Sequence, residues 1–352
     1  MSHYLHNANK HSAMLLRAAP DADFQGTPRR MALGAVVSGI MAAWSLAAYA
    51  PVAQAQDYPS RPIRVIVPYA PGGTDQQLRI LAPALQKLIG QSLVIENMAG
   101  AGAAIGTAAV RNARPDGYTL LYTGTGALTV APNIGKPPYA MDDLVPIGNV
   151  IGTPFVVASK PDAPFKTLAE MVAYGKANPG KITFGSAGHG TTTHMAGEAI
   201  AGAAGFKLLH VPYQGIGPAV ASILGGNVDM VVGLPNAIMP HVNGGKLVAL
   251  GITGPQRSDL MPGFMTVREA GIDMTDVTKF GFFAPKGTPD AIMQKWIAAV
   301  PEAMKASEFI EATKRSFNST MYLNPAQFKT VLDNEDKYFK KLIKDLKLGE
   351  GA

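Results

Sequence analysis

Four short stretches combine glycines with hydroxyl-bearing side chains where a strand pattern gives way to a helix pattern. They are residues 69–75 (YAPGGTD), 124–126 (GTG), 185–192 (GSAGHGTT) and 212–217 (PYQGIG). In each, backbone N–H groups stand at or beside a helix start, where they have no intrahelical acceptor. The helix dipole adds partial positive charge at the same end. Such a turn holds an anion without Arg or Lys. A carboxylate suits it because a charged acceptor strengthens the bonds. Glycine-rich turns occur at strand ends in any α/β protein, so one alone means little. Four of them meeting at one cleft carry the signal.

Other chemistries fit less well. Gly100-Ala-Gly102-Ala-Ala-Ile-Gly106 is one residue too long for the dinucleotide fingerprint. Ser186 has no glycine two places before it, so a nucleophile elbow is not expected. Gly245-Lys246 is followed by Leu247, which excludes a phosphate-binding P-loop. His189 and His194 are five residues apart without an adjacent Glu, so no metal site is expected; His194 reads as packing and His189 as facing ligand or solvent. Asp75 reads either as a general base or as the group ordering its own loop and a bound water. Arg79, one turn later, pairs with it or with solvent. Met230 and Met239 read as packing. The absence of Cys excludes disulfides, thiolate metal sites and a cysteine nucleophile.

The elements that must position these turns follow from the chain's 352 residues, enough for two ordinary domains. With 47% hydrophobic residues the chain is not disordered. Arg29-Arg30 precede an uncharged stretch over 31–50, and Ala53-Gln54-Ala55 follows it. This is the layout of a secretory signal peptide covering 1–55, with cleavage after Ala55. An uncleaved anchor is the alternative, because 20 apolar residues are long enough to span a bilayer. The residues flanking the Arg pair match a twin-arginine signal poorly. Residues 1–55 carry Lys10, Arg17, Arg29 and Arg30 against Asp21 and Asp23, a net +2, which leaves +4 of the +6 for the rest. That mild excess, without a basic block, argues against nucleic acid as a partner.

Strand and helix patterns then alternate. Strands are expected at 63–69, 92–96, 118–122, 181–185, 207–211, 229–233, 247–253 and 280–284, with one long extended stretch at 147–159. Helices are expected at 74–89 with Thr74 as N-cap, to 112 after the 100–106 loop, and at 167–177, 191–203, 217–224, 290–305 and 325–346. On the last, Phe328, Leu332, Phe339, Leu342 and Leu346 keep roughly helical spacing. The β-α alternation predicts an α/β fold of two lobes, each a mainly parallel sheet flanked by helices. One lobe takes 57–155 plus 281–352, the other 156–280. Two chain crossings between them make a hinge, and the turns above line the cleft.

The stretches YPSRPIRVIVPYAPGGTDQQLR, VIENMAGAGAAIG, FGSAGHGTTTHMAGE, HVPYQGIGPAVASILGGNVDM, GKLVALGIT and FGFFAPKGTP are together highly specific. Through them the chain from Tyr58 to about Leu346 resembles the tripartite tricarboxylate transporter receptors, the TctC/Bug family of periplasmic solute-binding proteins. The resemblance implies a type II-like clamshell closing on a small carboxylate, with no cofactor. Tyr69, Ala70, Gly73, Thr74 and Asp75, with Ser186, Ala187, His189, Gly190 and Thr191, would hold one carboxylate, mainly through amides and bridging waters. Thr125, Gly126, Tyr213, Gly215 and Pro235 would line the distal part. The chain departs from the family pattern in its shorter Ala-Pro-Gly-Gly-Thr turn, in His189, and in Gln214 where Lys is commoner. His189 and the small Gly126-Ala127 pair suit an aromatic acid as well as a di- or tricarboxylate. The implied partners are membrane permease subunits of a tripartite transporter, with the receptor itself a monomer. A ligand sensor for a regulatory membrane protein, and a hydrolase or lyase using Ser186, His189 and Asp75, are the alternatives.

Overall fold

The computed structural model describes residues 58–348; the signal-peptide reading falls on residues outside that range. Strand β1 (Ile63–Val67) buries Ile63, Val65, Ile66 and Val67 completely, as a strand covered on both faces must. A glycine turn leads into α1 (Gly73–Ile89), whose Leu78, Leu81, Leu85 and Ile89 form one buried helical stripe. Strand β2 (Leu93–Asn97), α2 (Ala104–Arg111) and β3 (Thr119–Gly124) follow, then two single-turn helices, α3 (Gly126–Thr129) and α4 (Ala131–Ile134), and β4 (Leu144–Thr153).

The stretch expected as one long strand is cut at Pro154, which has no N–H to donate to a ladder. Its second half, β5 (Val156–Ser159), enters a different sheet. There the chain runs through α5 (Leu168–Ala177), β6 (Ile182–Ser186), α6 (Thr192–Ala204), β7 (Leu208–Pro212), α7 (Ile216–Leu224), β8 (Met230–Gly233), α8 (Pro235–Asn243) and β9 (Val248–Ile252). It returns through β10 (Thr278–Pro285), α9 (Asp290–Ala303), α10 (Ser307–Arg315), β11 (Thr320–Leu323) and α11 (Pro325–Asp345).

The first sheet has the order β11-β4-β10-β3-β1-β2 and the second β7-β6-β8-β5-β9. Both are mixed rather than mainly parallel. The β1–β2, β1–β3, β6–β7 and β6–β8 pairs are parallel. The strands that carry the chain between lobes are the antiparallel ones, because they arrive from the opposite end: β10 against β3 and β4, and β5 against β8 and β9. Strands β4 and β10 run paired from Pro285↔Leu144 to Thr278↔Thr153, so the two crossings lie side by side. The two-lobed α/β clamshell is therefore present. No helix among the described residues is long and apolar enough to cross a membrane.

Helix α11 opens with a capping box between Asn324 and Gln327 and has Pro325 at its first position. Phe328 and Leu332 pack with Leu121 and Phe283 of the first lobe. Further along, Phe339 and Ile343 pack with Met195 of α6 and Val130. The helix thus spans both lobes. Its last buried residue is Ile343; Leu342 and Leu346, expected on that face, are only partly covered. Helices α3, α4, α8 and α10 and strand β11 were not expected from sequence. Helix α8 carries Pro235 at its start and Pro240 inside, which mimics a loop.

Candidate functional site

Four helix starts face the seam between the lobes. Helix α1 begins at Gly73, with Gly72 rather than Thr74 at the cap. The Asp75 carboxylate accepts the Gly72 N–H and pairs with Arg79 Nε at 3.1 Å. Asp75 therefore orders its own turn, with each carboxylate oxygen engaged once. In α6, Thr191 Oγ1 accepts the His194 N–H at 3.3 Å and donates to the Gly188 carbonyl at 2.7 Å, fixing the 186–191 loop on its helix. Helix α7 starts after Gly215, and α8 starts at Pro235 after Leu234.

Between these ends lies a narrow cavity of about 20 Å³, room for about one water molecule while the lobes are shut. The first lobe supplies Tyr69, Thr74 and Phe280; the second supplies Ala187, Thr191, Thr192, Thr193, Ile216 and Leu234. All nine are buried and none is charged. Thr74, Thr192, Thr193 and Ile216 are first-turn residues of α1, α6 and α7, and Leu234 caps α8, so the positive ends of four dipoles border one small volume. Phe280, Ile216 and Leu234 give it an apolar wall. The Tyr69 phenol is pushed up to about 12 by burial and stays neutral, with Thr123 Oγ1 3.4 Å from its oxygen.

The lobes are shut on this chamber. The Ala70 N–H donates to the Gln214 carbonyl at 2.7 Å across the seam. Asn236 Nδ2 donates to the Gly73 carbonyl at 2.8 Å. Thr192 and Thr278 hydroxyls meet at 3.4 Å. A Cβ on Gly72 would lie 3.1 Å from the Gly217 nitrogen, so backbone touches backbone there.

Of the residues expected at the site, Tyr69, Thr74, Ala187 and Thr191 line the chamber. The others stand elsewhere. The Ala70 amide is spent on Gln214. Gly73, Gly126 and Gly215 are contact points: Gly73 and Gly215 face the opposite lobe and Gly126 faces Thr192. Thr125 donates its N–H to the Lys279 carbonyl, while its buried Oγ1 has no partner. Ser186 turns its hydroxyl away, 2.7 Å from His210 Nε2. The Gly190 N–H points at His194 Nδ1. Exposed His189 lines an outer groove with Tyr213 and Gln214. Pro235 is buried at the start of α8 and does not line the cavity. The hydrolase constellation is not assembled either: Asp75 is tied to Arg79, and the partner of buried Ser186 is His210 rather than His189.

Sequence reasoning placed Thr192 and Ile216 in candidate turns without naming them as site residues, and missed Thr193, Leu234 and Phe280. The triple threonine after Gly-His-Gly was a visible signal. Phe280 comes from a strand far downstream and had none. His210, also missed, joins His189 and His194 behind the 186–191 loop, outside the chamber.

Residues 77–348 match the sequence profile of the tripartite tricarboxylate transporter family receptors, TctC. The chain belongs to this family. The receptor is 36% identical over 322 residues to a UPF0065 protein in the gbd 5' region of Cupriavidus necator, covering 89% of this chain and 96% of that one. The structure of the periplasmic binding protein BugD superposes with a TM-score of 0.79 at 30% identity, over 83% of this receptor and 99% of BugD. MatC from Rhodopseudomonas palustris, with bound malate, superposes with a TM-score of 0.76 at 27% identity, over 81% and 100% of the two chains. BugD is a periplasmic binding protein, and both structures share the two-lobed α/β fold described above.

Proposed function

We propose that this receptor captures a small organic carboxylate outside the cytoplasm, closes its lobes over it, and delivers it to the membrane permease subunits of a tripartite tricarboxylate transporter. The observation that carries the reading is the chamber bordered by four helix starts and devoid of charged side chains. Such a site offers peptide N–H groups and threonine hydroxyls to an anion whose own charge completes it. The apolar wall of Phe280, Ile216 and Leu234 suits the carbon chain of the acid. MatC, which shares the fold, binds malate; a dicarboxylate of that size is the first candidate, with tricarboxylates and aromatic acids after it.

In this reading residues 1–55 are an export signal removed after Ala55, and the mature receptor works as a monomer that carries its ligand unchanged. The lobes divide at about residue 155 and just before Thr278, where β10 enters the first sheet ahead of the expected boundary at 280, and closure follows from tighter binding in the closed state. Micromolar affinity corresponds to about −8.2 kcal/mol.

A thermal-shift screen of carboxylates tests it. Ligand at 100 times Kd adds about 2.7 kcal/mol of apparent stability. A receptor of this kind gains several degrees in Tm with at least one di-, tri- or aromatic carboxylate, and nothing with the matching uncharged amide. A screen in which no carboxylate moves Tm, with calorimetry equally silent, would overturn the proposal.

A further inference from the structure

Three imidazoles meet on the second lobe, outside the carboxylate chamber. His189 comes from the 186–191 loop, His194 from the first turn of α6, and His210 from the middle of β7, where it lies beside Phe184 in the parallel ladder. One ring nitrogen of each lies within 4.8 Å of the other two. The His194 and His210 rings stack at 3.9 Å between centroids, 15° from parallel, and His189 stands 5.0 Å from His194. Glu198, one helical turn after His194, places Oε1 3.8 Å from His194 Nε2.

We propose that His189, His194 and His210 form a binding site for a divalent late transition-metal ion of the zinc, nickel or copper class, with Glu198 as its carboxylate partner. Imidazole donors with one carboxylate suit these ions, whereas magnesium and calcium require oxygen ligands.

Three protonated imidazoles this close would repel one another. Burial, helped by the neighbouring imidazoles, holds His194 down to about 2 and His210 down to about 4.

The supporting contacts are of the right kind. His194 has the loop carrying His189 on its Nδ1 side, where the Gly190 N–H approaches to 3.3 Å, and Glu198 on its Nε2 side. With Nδ1 accepting the Gly190 N–H, His194 would offer Nε2 to the ion, beside the Glu198 carboxylate. Ser186 Oγ, 2.7 Å from His210 Nε2, holds the third ring. Metal–nitrogen bonds of about 2.0–2.1 Å bring tetrahedral donors to about 3.3 Å from one another, so the trio must contract. His189 supplies that movement. Its side chain is exposed and swings by rotation about its own bonds, while Thr191 keeps the loop backbone on α6. The trio borders a groove with Glu198, Phe206, Leu346 and Leu348 on the outer side of the lobe, so an ion reaches it without the lobes opening. Once bound, the ion would pin to α6 and β7 the same loop that brings Ala187 and Thr191 to the chamber.

The test uses the untagged full chain, treated with chelator and dialysed, with Co²⁺ as the spectroscopic probe and Zn²⁺ as the competitor. The expected result is a d–d absorption of nitrogen-ligated Co²⁺ that saturates at one equivalent and is removed by one equivalent of Zn²⁺. His189→Ala, at an exposed position, weakens Co²⁺ at least about 10-fold without moving the metal-free Tm. His210→Gln removes the band, and His241→Ala, outside the trio, retains it. If no stoichiometric band forms, the three rings are packing alone and the proposal fails. It fails equally if the band survives both His189→Ala and His210→Gln, because the ion then sits on other groups such as His3, His6 or His11. Should His210→Gln not fold, His189→Ala decides the question.

Discussion

A missing side chain at Gly73 lets the lobes meet. A Cβ there would stand 2.9 Å from Leu234 Cδ1, 3.1 Å from Asn236 Oδ1 and 3.2 Å from Ile216 Cγ2, all on the opposite lobe. Within its own lobe Gly73 starts α1 with ordinary helical geometry, so a side chain burdens only the closed state. Overpacking of this kind costs about 1–3 kcal/mol. Gly73→Val is therefore expected to lower carboxylate affinity roughly 10- to 100-fold, with the ligand-free Tm little changed; unchanged affinity by calorimetry would remove the closure argument. Residue types were legible at this scale, whereas their partners were not. Glycines, threonines and the anion-binding chemistry of helix starts could be read directly. That Ser186 serves His210 rather than a ligand depends on the pairing of β6 with β7, which sets side by side two residues 24 apart. The same pairing hid His210 from any spacing argument built on His189 and His194.

Whole elements were legible where periodicity was strong. The apolar run of β1 and the stripe of α1 announce a two-sided strand and an amphipathic helix. Helix α8 did not, because Pro235 and Pro240 read as breakers, although a proline at a helix start is well tolerated. One contact between elements makes a pH prediction. Asp276, on the segment returning to β10, is raised to about 7 by burial and by Glu335 of α11, against the lowering influence of Lys279. Lys279 pairs with Glu335 at 2.8 Å, and Tyr338 also faces this group. An acid whose folded pKa is raised lends stability below its unfolded value near 3.8, and that stability is lost as pH rises through 7. Asp276→Asn keeps the neutral form at every pH. Its Tm is expected to gain on the native chain between pH 5 and pH 8, at about 2–4 °C per kcal/mol. A Tm difference independent of pH would show that Asp276 titrates normally.

At the scale of the whole molecule, the two-lobed plan followed from the repeated β-α alternation and from the family motifs. The chamber did not, because its lining runs from Tyr69 to Phe280 and exists only when the lobes are shut. Helix α11 helps hold that state. Phe339 and Ile343 grip Met195 on the second lobe while Phe328 and Leu332 stay in the first. Truncating a buried aromatic costs about 3–5 kcal/mol in a well-packed core. Phe339→Ala should loosen the grip and raise the radius of gyration of the ligand-free protein in solution scattering. An unchanged radius would mean that α11 plays no part in closure.

The side-by-side course of β4 and β10 has a mechanical consequence. Their ladder runs unbroken in direction as far as Thr153 and Thr278, and beyond it Phe155 and Asp276 are both tied to Thr253. Two independent tethers would let the halves slide or swivel, but a joined ribbon resists both. What remains is a single bending axis at the ribbon's end, like the spine of a book. Prying anywhere along the far rim would then part the halves along their whole length, so under the proposed function a permease need engage only a small part of that edge to release the ligand.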